Sequence, residues 1–217
     1  MKNFIGMFLL VACFHLAATA SKYEAFVWHT GYIQLNNNTR LQGTIGFDHT
    51  QEVLILETAE GIRKAFSPQK VAYFGFYDEY FENDRIYVTL EMENRNGYVS
   101  RGFFEVLMDG PLAVLRREKK YANIRMVLTT DHSGHFSRHA ACFDYYIYQG
   151  GEFTTLDDFQ EYIYPMMLQN NEEKISRMVN ESELNLRYMK HKIMVVDYYN
   201  SLHGNAGQLN LVAATFD

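Results

Sequence analysis

Residues 85–93, "RIYVTLEME", alternate apolar and polar side chains without a break. Ile86, Val88, Leu90 and Met92 fall on one side of an extended chain, and Arg85, Tyr87, Thr89 and Glu91 on the other. A period of two marks a β-strand with one face buried and one face wet. The pattern therefore predicts Ile86, Val88, Leu90 and Met92 as core and the second set as an outer face. Residues 121–129 repeat it, with Ala122, Ile124, Met126 and Leu128 on the apolar side. Shorter extended stretches cover 41–47, 53–58, 62–66 and 71–76, and "GFFEVLM" and "LAVLRR" flank Asp109-Gly110-Pro111. Asn36-Asn37-Asn38, Glu60-Gly61 and 94–97 supply further turn signals. Together these predict an α+β chain whose first part is an antiparallel meander of about ten strands, closing as a barrel or folding as a sandwich.

The texture changes at Gly150-Gly151. Thr155 is a candidate N-cap with Asp158 three residues on, which predicts a helix over 156–168 that Pro165 kinks or shortens. Asn170-Asn171 reads as a break and a new cap, with Glu172 and Glu173 in the next first turn. A last helix is expected over 183–202, with Leu186, Met189, Ile193, Val196 and Tyr199 or Asn200 on one stripe and Gly204 as its stop. The expected organisation is a leader over 1–20, an antiparallel β domain over 21–149 and a helical segment over 150–217 packed on the sheet.

The leader is "MKNFIGMFLLVACFHLAATA": one lysine, an apolar run and a small-x-small site before Ser21. That is the form of a secretory signal, too short to span a membrane. A second reading takes Leu10-Val11-Ala12-Cys13 as a lipoprotein signal that would leave Cys13 lipidated and the chain anchored. Either way the mature chain is expected to be exported: periplasmic, outer-membrane-associated or extracellular, with no transmembrane span after the leader. The net charge of −6 argues against nucleic acid as a partner, because an acidic chain gains nothing from releasing a polyanion's counterions. The basic run Arg116-Arg117-Glu118-Lys119-Lys120 reads as a solvated turn. With Cys142 alone beyond the leader, no intrachain disulfide is available and stability must come from the core.

Four candidate chemistries deserve weighing. In "DHSGHFSRHAACFDYY" (131–146), His132, His135, His139 and Cys142 are spaced by three, four and three residues. Helical spacing aligns them but spreads them over about 15 Å, too far for one ion. The composition favours a hairpin tip, in which strand parity separates His139 from Cys142; His132 and His135 remain as a weak or adventitious metal site. The pair His135/His139 lacks a zinc protease's glutamate, since Phe136 stands there. Glu91 and Glu93, on one strand face about 7 Å apart, read as solvated carboxylates. The acidic aromatic loop 77–84 lacks the regular spacing of a calcium loop. Asn37-Asn38-Thr39 and Asn180-Glu181-Ser182 match the glycosylation acceptor pattern. No nucleophile elbow, phosphate loop or dinucleotide fingerprint is present, no catalytic residue is assigned and no cofactor is implied.

Three segments carry a resemblance: "GYIQLNNNTRLQGTIGFD", "RGFFEVLMDGPLAVLRR" and "FDYYIYQGGEFTTLDDF" with the closing "VVDYYNSL". Their combination is similar to uncharacterised exported proteins of Bacteroidetes-type bacteria. The resemblance implies an envelope location and a β-then-α layout, and brings no activity or site residue with it. The expected function is a non-catalytic binding protein of the cell envelope or exterior, with an envelope protein or a glycan as partner. The alternatives are a hydrolase or other enzyme using loop 77–84 or loop 131–139, and a small-ligand carrier if the strands close around a cavity.

Overall fold

The computed structural model describes residues 27–79, 82–93, 96–119, 129–130, 136–137, 142–204 and 207–209. The expected leader with Cys13, the strand expected at 121–129 apart from Thr129, and His132, His135 and His139 lie outside these.

Among the described residues there are twelve strands: β1 Trp28–Leu35, β2 Arg40–Asp48, β3 Val53–Glu57, β4 Arg63–Phe66, β5 Val71–Asp78, β6 Asn83–Glu93, β7 Val99–Met108, β8 Ala113–Glu118, β9 Thr129–Thr130, β10 Phe136–Ser137, β11 Phe143–Gln149 and β12 Glu152–Thr155. Ten form one antiparallel sheet in the order β12-β11-β8-β7-β6-β5-β1-β2-β3-β4. β12 and β4 are its two edges, so the sheet is open and the closed-barrel alternative does not hold. β9 and β10 make a separate two-stranded antiparallel ladder, with Thr130 opposite Phe136 and Thr129 opposite Ser137.

Twist explains how an open sheet makes a core. Neighbouring strands rotate by about 20–25°, so the five steps from β2 through β1, β5, β6 and β7 to β8 accumulate about 100–125°. The β2–β3 turn is thereby carried over the concave face towards the far end of β8. Phe47 of β2 stands edge-on to Phe74, Tyr87 and Phe103, with ring centroids 5.2, 5.2 and 5.6 Å away. Phe74 and Tyr87 stack at 4.7 Å. Ile33, Ile45, Leu54, Leu56 and Val71 complete this aromatic core.

The outer-face prediction for β6 fails here. Arg85, Tyr87 and Thr89 are all buried, on the concave side, and Val88 is buried on the other. β6 is the fifth strand from one edge and lies under cover on both faces. Alternation in its sequence reflects two different interiors, one apolar and one ion-paired. Glu91 and Glu93, beyond this cover, are exposed. The basic run is not a turn either: Arg116, Arg117 and Glu118 end β8, paired with β11 at Tyr145, Asp144 and Phe143.

The helical part packs on the β8–β11 end of the sheet. Residues 156–168 form one irregular helix, as expected: a 3-10 turn Leu156–Asp158, a π-turn Phe159–Ile163 and α1 Tyr164–Leu168. The Thr155 hydroxyl caps it by accepting from Asp157 N–H. Pro165 supplies no N–H to its first turn, and just ahead of it the ladder slips to the π register, with Tyr164 N–H donating to Phe159 C=O. α2 spans Glu172–Glu181 and α3 Met189–His203. Asn171 precedes α2, but its side chain turns to His203 and does not cap the helix. α3 starts six residues later than expected. Glu183 takes a positive φ of 50°, and the Asn185 carboxamide accepts from Arg187 N–H, a local bond that competes with helix.

Leu112, Val114, Phe143, Tyr145 and Ile147 of the sheet meet Leu156, Phe159, Ile163, Met167, Ile175, Val195 and Val196 of the helices. Cys142, which precedes β11, is buried in the same cluster. Asn200 seats α3 on the β7–β8 turn. Its carboxamide accepts from Leu112 N–H and donates to Leu112 C=O, both at 2.9 Å, as a strand partner would. Gly110 permits this approach: a Cβ there would lie 2.7 Å from Asn200 Nδ2. Gln208 then joins two turns of the sheet, accepting from Gly150 N–H and donating to the carbonyls of Gly110 and Pro111.

Candidate functional site

The densest group of ionisable side chains among those described lies on the concave face of β5–β8. Glu105 of β7 sits opposite Tyr87 of β6 and Arg116 of β8. Arg85 Nε and Nη2 donate to its two carboxylate oxygens at 3.0 and 2.8 Å, and Arg116 Nε and Nη2 donate to the same pair at 2.8 and 2.7 Å. Glu105 is thus held by two guanidinium forks at once, the strongest geometry open to a carboxylate in a protein. Arg85 also donates from Nη1 to Asp78 at 3.3 Å and from Nη2 to the Tyr87 hydroxyl at 2.5 Å. Arg116 lies 4.4 Å from the centre of the Phe143 ring. Two cations and two anions balance.

Burial alone would raise the Glu105 carboxyl. The hydrogen bonds and charges of Arg116 and Arg85 outweigh it and pull the group down to about 2. Burial likewise opposes the charge on both guanidiniums, and Tyr87, Glu105 and Asp78 more than restore it on Arg85, while Glu105 does so on Arg116. All three groups are held firmly in their charged forms.

Beside this cluster the β2–β3 turn reaches β8. Glu52 pairs with Arg117, and His49 Nε2 lies 3.4 Å from Glu118. Gly102 makes room, since a Cβ there would press on Arg117 Nη2 at 3.0 Å. Between the turn and the sheet is a cleft of about 10 Å³, lined by Phe47, Phe103, Phe143 and the charged groups just named. That is room for about one water, and no room for a carried ligand.

The acidic aromatic loop dissolves into a hairpin. Tyr77 pairs with Asp84 and Asp78 with Asn83, and the Asp78 carboxylate points inward to Arg85. Among the described residues of the loop, no carboxylates converge as a calcium site would need. Glu91 faces solvent with Arg101 3.6 Å away. Among the described residues no cluster of three or more His, Cys, Asp or Glu side chains is arranged to hold a metal, and no helix is long and apolar enough to cross a membrane.

The ion cluster was within reach of the sequence, through one signal. Glu105 is the single charge inside "GFFEVLM", and a lone carboxylate in an apolar strand needs a buried cation. Arg85 and Arg116 are hidden by opposite disguises: one by alternation that suggests solvent, the other by a basic run that suggests a turn. Compared with protein-family models, with curated proteins and with solved structures, the chain matches none.

Proposed function

We propose that this chain is an exported, non-catalytic protein that binds a partner of the cell envelope or exterior, an envelope protein or a glycan. The observation that carries this reading is the tip of the β6–β7 hairpin. Tyr98 is 73% exposed and Val99 61% exposed, side by side at the end of the two longest strands. A tyrosine and a valine presented next to each other at the end of a paired ladder give a partner apolar contact area. The charge cluster supports the non-catalytic half. A general acid or base works best with a pKa near the operating pH, whereas Glu105, Arg85 and Arg116 hold their charges on one another. The leader over 1–20 supports export.

The test is retention of envelope components on the immobilised mature chain, compared with a Tyr98→Ser/Val99→Thr variant. The wild type is expected to retain a component that the variant loses, and neither to turn over a panel of hydrolase substrates. Turnover by the wild type together with identical retention by both proteins would overturn the reading.

A further inference from the structure

From the same hairpin we infer a chemical modification site: Asn96 is poised for spontaneous conversion to aspartyl and isoaspartyl products through a succinimide with Gly97. The inference rests on the chemistry of the loop and not on the binding reading. β6 and β7 stay paired up to Glu93 and Val99, which leaves 94–98 as a five-residue connection. Within it Asn96 is exposed and Gly97 adopts a positive φ of 79°. Asn96-Gly97 is the one Asn-Gly pair in the chain.

The reaction needs no partner other than water. The Gly97 backbone nitrogen attacks the Asn96 carboxamide carbon and forms a five-membered ring. The carbon–nitrogen bond to the side-chain amide breaks, and ammonia leaves carrying the proton that Gly97 gave up. Water then opens the ring at either carbonyl. One opening restores the backbone with a carboxylate side chain; the other routes the backbone through the side chain and adds a methylene to it. Glycine favours the attack because no Cβ shields its nitrogen and its backbone is free to rotate. The other turn asparagines differ. Asn37 is followed by Asn38, and Asn200 is buried and followed by Ser201.

The loop can absorb the longer backbone, since the β6–β7 ladder ends before it. The consequence is local and electrostatic: a new carboxylate two residues from Tyr98, on a tip that already carries Glu91 and Glu93.

The test is peptide mapping by mass spectrometry of the folded mature chain held at mildly alkaline pH and physiological temperature, with isoaspartate read enzymatically. Conversion at position 96 is expected to run more than about tenfold faster than at any other described asparagine, because only there does glycine follow. Asn96→Gln, whose longer side chain must close a larger ring, is expected to remove the signal while leaving the unfolding curve unchanged. If Asn96 stays intact in the folded chain while a peptide covering 91–100 converts, the fold holds the carboxamide away from Gly97 and the inference is wrong. It is equally wrong if both stay intact, or if another asparagine converts first.

Discussion

Arg85 on β6 and Lys192 on α3 are two buried cations in one chain, 8% and 7% exposed, and they are accommodated in opposite ways. Arg85 has two carboxylates and a phenol around it and belongs to a balanced network. Lys192 donates from Nζ to one backbone carbonyl, that of Leu156, at 2.5 Å, with the Phe159 ring 5.9 Å away; among the described residues it makes no ion pair. The difference follows from geometry. Three adjacent strands present side chains opposite one another at fixed register, so a planar five-donor guanidinium can meet several acceptors. A helix lying on a sheet offers Lys192 mainly the carbonyl of the turn beneath it, and a flexible ammonium suits a single acceptor.

If this contrast is correct, the network should fail hardest when one member is removed. Glu105→Leu would leave the buried Arg85 and the half-buried Arg116 without their shared carboxylate and is expected to cost about 3–5 kcal/mol in urea unfolding. Replacing Arg85, Glu105 and Arg116 together by Met, Leu and Met should recover part of that loss, because no guanidinium is then left facing a missing carboxylate, while Asp78 gives up its pair with Arg85. Recovery of nothing would mean that the network also dictates the strand register.

Acid probes the same cluster without mutation. The Glu105 carboxyl sits near 2 in the folded chain, against an ordinary 4.5. A lowered value in the fold means that protons bind the unfolded chain first as pH falls. The contribution is fully present above the ordinary value, declines through the window from 4.5 to 2, and is gone below it. It amounts to about 3 kcal/mol at neutral pH. Acid titration of unfolding should show the slope between those values flatten in the triple variant.

On the helix side the effects should shrink. Asn200→Ala removes both bonds to Leu112 and strands a buried N–H and C=O, for an expected loss of about 2 kcal/mol. Lys192→Met keeps an unbranched side chain one atom shorter and loses one hydrogen bond, for about 1 kcal/mol by the same measurement. A loss as large as that of Glu105→Leu would erase the distinction between the two cations. Arg177→Ala, which breaks an exposed pair with Glu173 one helical turn away, should change stability by no more than about 0.5 kcal/mol.

Much of the architecture was legible. Turn chemistry at Asn36–Asn38, Gly61 and Asp109-Gly110-Pro111 divided the strands where the sheet divides them, and Gly204, at a φ of 81°, ends the last helix as read. These are local properties of the backbone, and neighbouring residues decide them. Two readings went astray for one shared reason. The outer face of β6 and the solvated turn at Arg116-Arg117-Glu118 were both judged by polarity, and polarity does not say where a charge finds its partner. Arg85 meets Glu105 across a gap of twenty residues, and Arg117 meets Glu52 across sixty-five.

What the sequence determined by itself, then, is most of the described elements and the α+β order, through periodicity of two, periodicity of 3.6 and turn residues that act over a few positions; the edge strand β12 lies in the segment read as helical. What only the tertiary structure decided is the closure: an open sheet whose accumulated twist brings the β2–β3 turn onto β8 and leaves a carboxylate sealed between two arginines. Twist adds over every strand in the stack, so its outcome is written in no single segment of the chain.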